Sequence, residues 1–238
     1  MGGRPDGRAV SVGFAVLAAV AVHGAGAQSE LGTQLWIDYN PSWSVDQAGV
    51  LFGDIGVRTD LEGWSWLGLV VRPGYGYRIN RTVTIAGGVG SFYTAIDDFP
   101  NQWEIRPWQG IAISWPRAGL PLEHYVRIEQ RIALDTESWD ARTSLRGRYR
   151  VYTYFDWARQ SPTRYWRFLA GCEAFLTVAG HQGAYRERFR LSAALERGVR
   201  AGVRVVGEVT FQRVGWLLAD STIDDLLLRV RLFHEWSR

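Results

Sequence analysis

Arginine and glutamate recur at every second position over much of this sequence, and these side chains are its main candidates for chemistry. The segment YVRIEQRIAL, from Tyr125 to Leu134, and the segment SLRGRYRVYTYF, from Ser144 to Phe155, both show this alternation. Successive side chains on a β-strand point to opposite faces, so one face of each segment carries charges and the other is mainly apolar. The candidates for a charged, lumen-lining face are Glu104, Arg106, Arg127, Glu129, Arg131, Arg146, Arg148, Arg150, Glu173, Arg188 and Arg190.

Rows of this composition can do one of two things. Arginine and glutamate can interlock across a narrow barrel as a polar core, with Tyr152 and Tyr154 helping to fill it. Alternatively, because arginine outnumbers glutamate in the rows, they can form a positive constriction that favours anionic solutes. The sealed or nearly sealed core is favoured, because no long loop needs to fold inward and no specific site is visible.

The histidines offer little support for catalysis. Beyond the N-terminal leader the chain has His124, His181 and His234, and none has a serine two residues away, the spacing that would place both on one strand face. A nucleophile and its base need to be within hydrogen-bond reach. The chain is therefore predicted not to be an enzyme, and a lipid-modifying barrel enzyme is kept as the alternative.

Two acidic doublets are the only candidates for metal ligands. Asp97-Asp98 and Asp224-Asp225 fall at predicted loops or strand starts, where they could contact divalent cations or the ions that bridge lipopolysaccharide. Acidic doublets in loops are more often simply solvated. No metal site and no cofactor are predicted.

The first 27 residues have the features of a secretory signal peptide. Arg4 and Arg8 precede an apolar stretch from Ala9 to Val22, and the small residues Ala25-Gly26-Ala27 provide a cleavage site. The apolar stretch is too short to span a membrane as a helix. We expect cleavage after Ala27, which leaves residues 28–238 as one domain.

Charge and composition exclude one class of partner. All 27 basic residues are arginine, the formal net charge is only +3, and loss of the leader lowers it further by one. Although the calculated pI is about 9.2, it reflects a small surplus and not a basic patch, so no nucleic-acid partner is expected.

Period-two alternation predicts about eleven strands, several of them long enough to cross a bilayer at a tilt. Pro73 and Pro107 fall inside two of them, which indicates either a bulge or a misplaced boundary. Single-chain bacterial barrels have even strand numbers, so we predict twelve strands, with the missing one within Gln28–Asp60, and ten as the fallback. The segments lie near 33–40, 50–58, 64–78, 82–95, 102–115, 123–135, 141–156, 164–178, 185–197, 200–214 and 223–237.

The placement of tryptophan favours a membrane barrel over a soluble sheet protein. Most of the 12 tryptophans fall at predicted strand ends, as interfacial girdles require. The final segment LLLRVRLFHEW is amphipathic and ends in an aromatic residue, as in many barrel proteins. A soluble periplasmic ligand-binding β-protein remains the alternative, because alternation alone does not show which face meets water. The interfacial candidates are Trp64, Trp66, Trp103, Trp115, Trp166 and Trp236.

Several short strings resemble an uncharacterised family of Gram-negative outer-membrane β-barrels, a domain of unknown function. They are WEIRPWQG, YVRIEQR, LRGRYRVYTYF, and the strand of Cys172 and Glu173 followed by RERFRLSAALERGV, and the similarity runs from about Gln34 to Trp236. The family brings no established catalytic residue, cofactor or substrate.

The expected protein is therefore an all-β, antiparallel transmembrane barrel in the bacterial outer membrane. It is expected to be structural or a narrow passive conduit. Its expected partners are outer-membrane lipid and lipopolysaccharide, and the barrel-assembly machinery during biogenesis.

Overall fold

The computed structural model describes residues 31–115, 121–180, 187–215 and 222–236. The predicted signal peptide, its cleavage site and His181 lie outside these ranges. Leu31–Arg238 forms one compact unit. The described residues contain strands and turns, and no helix among them is long and apolar enough to cross a membrane.

Eleven long strands follow one another along the chain and close into a barrel. Most of them carry β-branched and aromatic residues at alternate positions, which favours extended strands over helices. The strands are β1 (Gly32–Ser44), β2 (Gly49–Asp60), β3 (Trp66–Arg78), β4 (Val83–Ile96), β5 (Phe99–Trp115), β6 (Leu122–Asp135), β7 (Ala141–Arg159), β8 (Tyr165–Gly180), β9 (Arg188–Arg200), β10 (Val203–Val214) and β11 (Ile223–Trp236).

The closure of the barrel corrects the predicted strand number. Each strand pairs antiparallel with the next, but β1 and β11 pair in parallel, from Gly32 with Asp225 to Trp43 with Trp236. In an odd-numbered meander the first and last strands run in the same direction, so the closing pair must be parallel. The all-β barrel is confirmed. The described chain forms eleven strands where about twelve were predicted, and its closing pair is parallel where antiparallel pairing was expected. Leu31–Asp60 holds only β1 and β2.

The two ends of the barrel are named here by the strands that reach them. The upper end is where β1 begins, and the lower end is where β11 ends. At the lower end Asp46 closes the β1–β2 turn by accepting hydrogen bonds from the backbone N–H groups of Ala48 and Gly49, at 2.8 and 2.7 Å. These two hydrogen bonds lower the pKa of the fully exposed Asp46 carboxyl below its usual value of 3.8.

Neither proline inside a strand produces a bulge. The β3–β4 register is the same on both sides of Pro73, where Val71 pairs with Ser91 and Gly74 with Gly88. Pro107 pairs with Val89, and the β5–β6 register is likewise unchanged across it. A missing N–H therefore leaves a local gap in the ladder and does not shift the neighbouring residues.

The registers set the diameter of the barrel. Following the paired residues from strand to strand around the barrel leads from Ser44 on β1 to Ile223 on β11. The β1 position beside Ile223 lies about 14 residues before Ser44, and this offset is the stagger of the barrel. With eleven strands about 4.8 Å apart, this stagger corresponds to a tilt of roughly 40° and a backbone radius of about 11 Å.

The polarity of the barrel is inverted relative to a soluble protein. In β6, Ile128 is 46 % exposed, whereas Arg127 and Glu129 on either side of it are 3 % and 1 % exposed. In β2, Ile55 is exposed and its neighbour Asp54 is buried. Apolar side chains therefore cover the outer surface, and the charged rows face the lumen.

Candidate functional site

Three glutamates in the lumen, Glu104, Glu129 and Glu173, each hold two arginines. Glu104 on β5 accepts hydrogen bonds from Arg106, at 2.5 Å, and from both Nε and Nη2 of Arg131 on the adjacent strand β6. Because Arg131 contacts both carboxylate oxygens, this pair is bidentate, the strongest geometry for arginine and carboxylate.

The same unit recurs on the following strands. Glu129 on β6 pairs with Arg127, at 2.8 Å, and with Arg146 directly opposite on β7. Glu173 on β8 pairs with Arg148, at 2.5 Å, and with Arg190 on β9, at 3.3 Å. A continuous band of ion pairs therefore crosses β5 to β9.

A second set of ion pairs extends the band across the closing strands. Asp54 pairs with Arg72 across the β2–β3 pair at 2.5 Å. Asp38 on β1 pairs with Arg229 on β11 at 2.5 Å, so an ion pair bridges the parallel seam. The prediction from sequence missed these carboxylates, because Asp38 and Asp54 each stand alone between apolar residues and do not belong to an alternating charged run.

Aromatic rings fill the space between the guanidinium groups. The guanidinium carbon of Arg58 lies 4.0 Å from the centre of the Trp36 ring, and that of Arg127 lies 4.3 Å from the Trp108 ring. Similar stacking joins Arg106 to Phe92 at 3.6 Å. These cation–π contacts add to the ion pairs of Arg106 and Arg127, and they hold Arg58, for which the described residues show no ion pair.

All eleven residues predicted to line the lumen lie on the inward face of their strands. Six of them are buried, and the other five are partly exposed. The structure adds inward-facing residues that the prediction missed. Some are aromatic residues an even number of positions from the charged residues of the same strand, so the alternation could have identified them. The additional residues are Trp36, Asp38, Asp54, Arg58, Arg72, Phe92, Trp108, Phe175, Glu196, Glu208, Gln212, Asp225, Arg229 and Arg231.

The predicted interfacial tryptophans fall into two groups at opposite ends of the barrel. Those near the upper end are Trp64, Trp66 and Trp103, and those near the lower end are Trp115, Trp166 and Trp236. Trp66 has the inward parity of Val70, so it stands at the upper mouth of the lumen and not on the outer face.

The remaining candidate residues for chemistry have structural partners. His124 Nδ1 lies 2.8 Å from the hydroxyl of Tyr149, and His234 Nδ1 lies 3.3 Å from that of Tyr39. In the described ranges no three His, Cys, Asp or Glu side chains come together as a metal site. The doublet Asp97-Asp98 lies in the β4–β5 turn. Asp224 binds Arg213, and Asp225 accepts a hydrogen bond from Gln212 at 2.7 Å.

Glycines on β3 and β4 make room for the indole of Trp108. Gly74 pairs with Gly88, and Gly88 pairs in turn with Trp108 on β5. A Cβ atom at Gly88 would clash first with the backbone carbonyl oxygen of Pro73. It would also lie 2.8 Å from the Cα of Gly74 and 3.0 Å from Cζ2 of Trp108. These distances are too short for carbon atoms, so only glycine allows the ring to lie against this wall.

We expect Gly88→Ala to lower the free energy of unfolding by about 1–3 kcal/mol, since the added methyl group meets both the β3 backbone at Pro73 and Gly74 and the Trp108 ring. Gly207→Ala is the matched control, because nothing lies within 4 Å of the position of its Cβ. Urea unfolding of both variants in detergent measures the difference. Equal stability of the two variants would show that the Trp108 slot is not closely packed.

The lower half of the barrel is less densely filled. A cavity of about 550 Å³ lies between the ends of β1 and β11 and the starts of β2, β8 and β10. Its walls carry both arginines and apolar side chains, including Phe52 and Val206. The lumen therefore consists of a packed upper section and an open lower vestibule.

Fold and site together define a closed β-barrel with an ion-paired lumen. The chain belongs to the family described as "Protein of unknown function (DUF2490)", whose model matches residues 33–214. This match confirms the resemblance to an uncharacterised family. Among curated proteins, none matches this sequence.

Proposed function

We propose that this protein is an integral barrel of the bacterial outer membrane whose lumen is sealed by its ion-paired core. The observation that carries the proposal is the inverted polarity. Large apolar residues such as Ile37, Leu69 and Val209 are about half exposed, whereas Asp38 and Glu129 are almost completely buried. A protein surrounded by water rarely exposes a continuous apolar surface of this kind, but a protein surrounded by lipid requires it.

The tryptophans mark the borders of the apolar surface. Trp103 and Trp115 both lie on β5, twelve residues apart in sequence. With a rise of about 3.3 Å per residue and a tilt of roughly 40°, they are separated by about 30 Å along the barrel axis. This separation matches the hydrocarbon core of a bilayer with its interfacial girdles. Trp43 and Trp236, which are cross-strand partners at the seam, extend the lower group.

The packed upper section supports a structural role over a conduit. In that section the aromatic rings of Trp36, Phe92, Trp108 and Phe175 are buried together with the glutamates that hold arginine pairs. Every lumenal carboxylate in the band is engaged by at least one guanidinium group. A passing ion would have to break several of these pairs.

A charged substitution on the outer face tests the membrane location. The partner of Ile128 on β5 is Gln109, which lies six residues from both Trp103 and Trp115, so Ile128 stands near the middle of the apolar band. We expect Ile128→Arg to destabilise the folded barrel in lipid vesicles by about 2–4 kcal/mol, the cost of arginine at the bilayer midplane. The equivalent change at the exposed turn residue Gln47 is the control and is expected to be neutral.

Gel mobility of the membrane fraction in SDS, with and without boiling, provides the second test. A closed barrel in the outer membrane is expected to migrate differently before and after boiling. Recovery of the unshifted chain in the soluble periplasmic extract, together with a harmless Ile128→Arg substitution, would overturn the proposal and favour a soluble β-protein.

A further inference from the structure

The vestibule in the lower half of the barrel carries more arginine than its carboxylates can neutralise. Its walls hold six arginines and four carboxylates. Each of those carboxylates already contacts an arginine: for example, Glu208 pairs with Arg231, and Glu196 pairs with Arg204 at 3.4 Å. Carboxylates just outside the walls hold two of the six arginines, because Asp38 pairs with Arg229 and Glu235 pairs with Arg204. The uncompensated positive charge is therefore that of Arg150.

Arg150 is the clearest part of this surplus. It stands directly opposite Glu173 in the β7–β8 register, but Glu173 is already held by Arg148 and Arg190. Arg150 forms no ion pair within 4 Å among the residues in the described ranges, and its buried Nε has no hydrogen-bond partner there. Its guanidinium lies 5.0 Å from the ring centre of Tyr152, so the ring holds it without neutralising it.

Other polar atoms in the vestibule are also without partners. The Nε of Arg231 and the Oδ1 of Asn40 are buried and have no hydrogen bond within the described part of the chain. Buried polar atoms of this kind are costly unless a ligand or water satisfies them. Arg150 on β7 and Arg231 on β11 line the same cavity, so both guanidinium groups can face one bound group.

Several apolar side chains also line the vestibule. Phe52, Leu169, Val206 and Phe233 form walls beside the arginines, and Val206 is almost fully buried. A cavity of about 550 Å³ with an apolar lining and a few convergent polar groups has the size and character of a small-molecule site.

We propose that the vestibule binds a small amphipathic anion, a phosphate or carboxylate attached to an apolar body. The anionic group accepts hydrogen bonds from Arg150 and Arg231, and the apolar body packs against Val206 and Phe52. The ligand reaches the vestibule from the lower end, where the lining strands terminate. This inference goes beyond the sealed barrel proposed above and depends on the cavity alone, so either can fail without the other.

Phenyl phosphate is a suitable probe, because it combines both features and remains in water. We expect saturable one-to-one binding to the folded full-length chain in zwitterionic nanodiscs by isothermal titration calorimetry. Inorganic phosphate and phenol are each expected to bind at least tenfold more weakly, because phosphate lacks the apolar body and phenol lacks the anionic group. Empty nanodiscs give the background.

Two variants locate the site. Arg150→Gln is expected to weaken phenyl phosphate binding at least tenfold, and Arg231→Gln provides an independent second measurement. Arg142→Gln, an exposed arginine at the other end of β7, is the matched control and is expected to bind like the wild type. Heat-modifiable gel mobility verifies that each variant is folded. No saturable binding to the wild type, or undiminished binding to folded Arg150→Gln, would overturn the proposal.

Discussion

Replacement of Glu129 by glutamine is expected to lower the free energy of unfolding by about 3–5 kcal/mol. The Glu129 side chain is 1 % exposed, and it is the carboxylate held by both Arg127 and Arg146. Loss of its charge leaves two guanidinium groups in a site that water reaches poorly. Removing one member of a buried ion network is costly for this reason, even though the intact network contributes little net stability.

A triple variant distinguishes the loss of the whole ion network from the loss of its carboxylate alone. Arg127→Met, Glu129→Leu and Arg146→Met together remove all three charges and keep similar volumes. We expect this variant to be much closer to the wild type than the single Glu129→Gln variant, since no uncompensated charge remains. Urea unfolding in detergent compares the two. Glu137→Gln, an exposed loop carboxylate, is the control, and a Glu129→Gln variant as stable as this control would contradict the expectation.

The wild-type barrel is expected to show no steady ion conductance in planar bilayers. The double variant Trp36→Ala, Trp108→Ala is expected to open a conducting path, because both indoles are buried in the lumen and each stacks on an arginine of the adjacent strand. Single-channel recording of both proteins at neutral pH tests this. Steady conductance of the wild type would show that the ion-paired band is a filter and not a seal.

Ion selectivity of the opened variant provides a further readout of the same lumen. Arg148 contacts Glu173 and borders the vestibule, so its charge lies on the path of any ion that passes. We expect Arg148→Glu in the opened background to shift selectivity towards cations, as charged rings do in pores. Unchanged selectivity in a folded protein would place the conducting path elsewhere.

Much of the fold was predictable from local alternation, because a strand with one apolar face has period two wherever it lies. The segment predicted near 123–135, for example, corresponds to β6 at Leu122–Asp135. The strand number failed because it came from a general rule about bacterial barrels and not from this chain. No residue pattern in Gln28–Asp60 indicated a twelfth strand, and the parallel closure depends on residues far apart in sequence.

The sequence predicted which residues face the lumen, but not which arginine binds which carboxylate. The inward rows of Arg146 and Arg148 follow from alternation alone. That Arg146 binds Glu129 on one neighbouring strand while Arg148 binds Glu173 on the other depends on two registers, which the sequence does not encode locally. The vestibule could not be predicted either, since it results from smaller side chains on strands that meet only in the closed barrel.

The parallel seam also restricts circular permutation of the chain. In an even-numbered barrel the last strand ends beside the start of the first, so a short peptide can join them and new termini can be opened elsewhere. Here Trp236 ends beside Trp43, at the rim opposite to Gly32. A linker from the end of β11 to the start of β1 would have to run back along the whole wall, which takes a crossover of a dozen or more residues. Circular permutants with short linkers are therefore excluded by geometry.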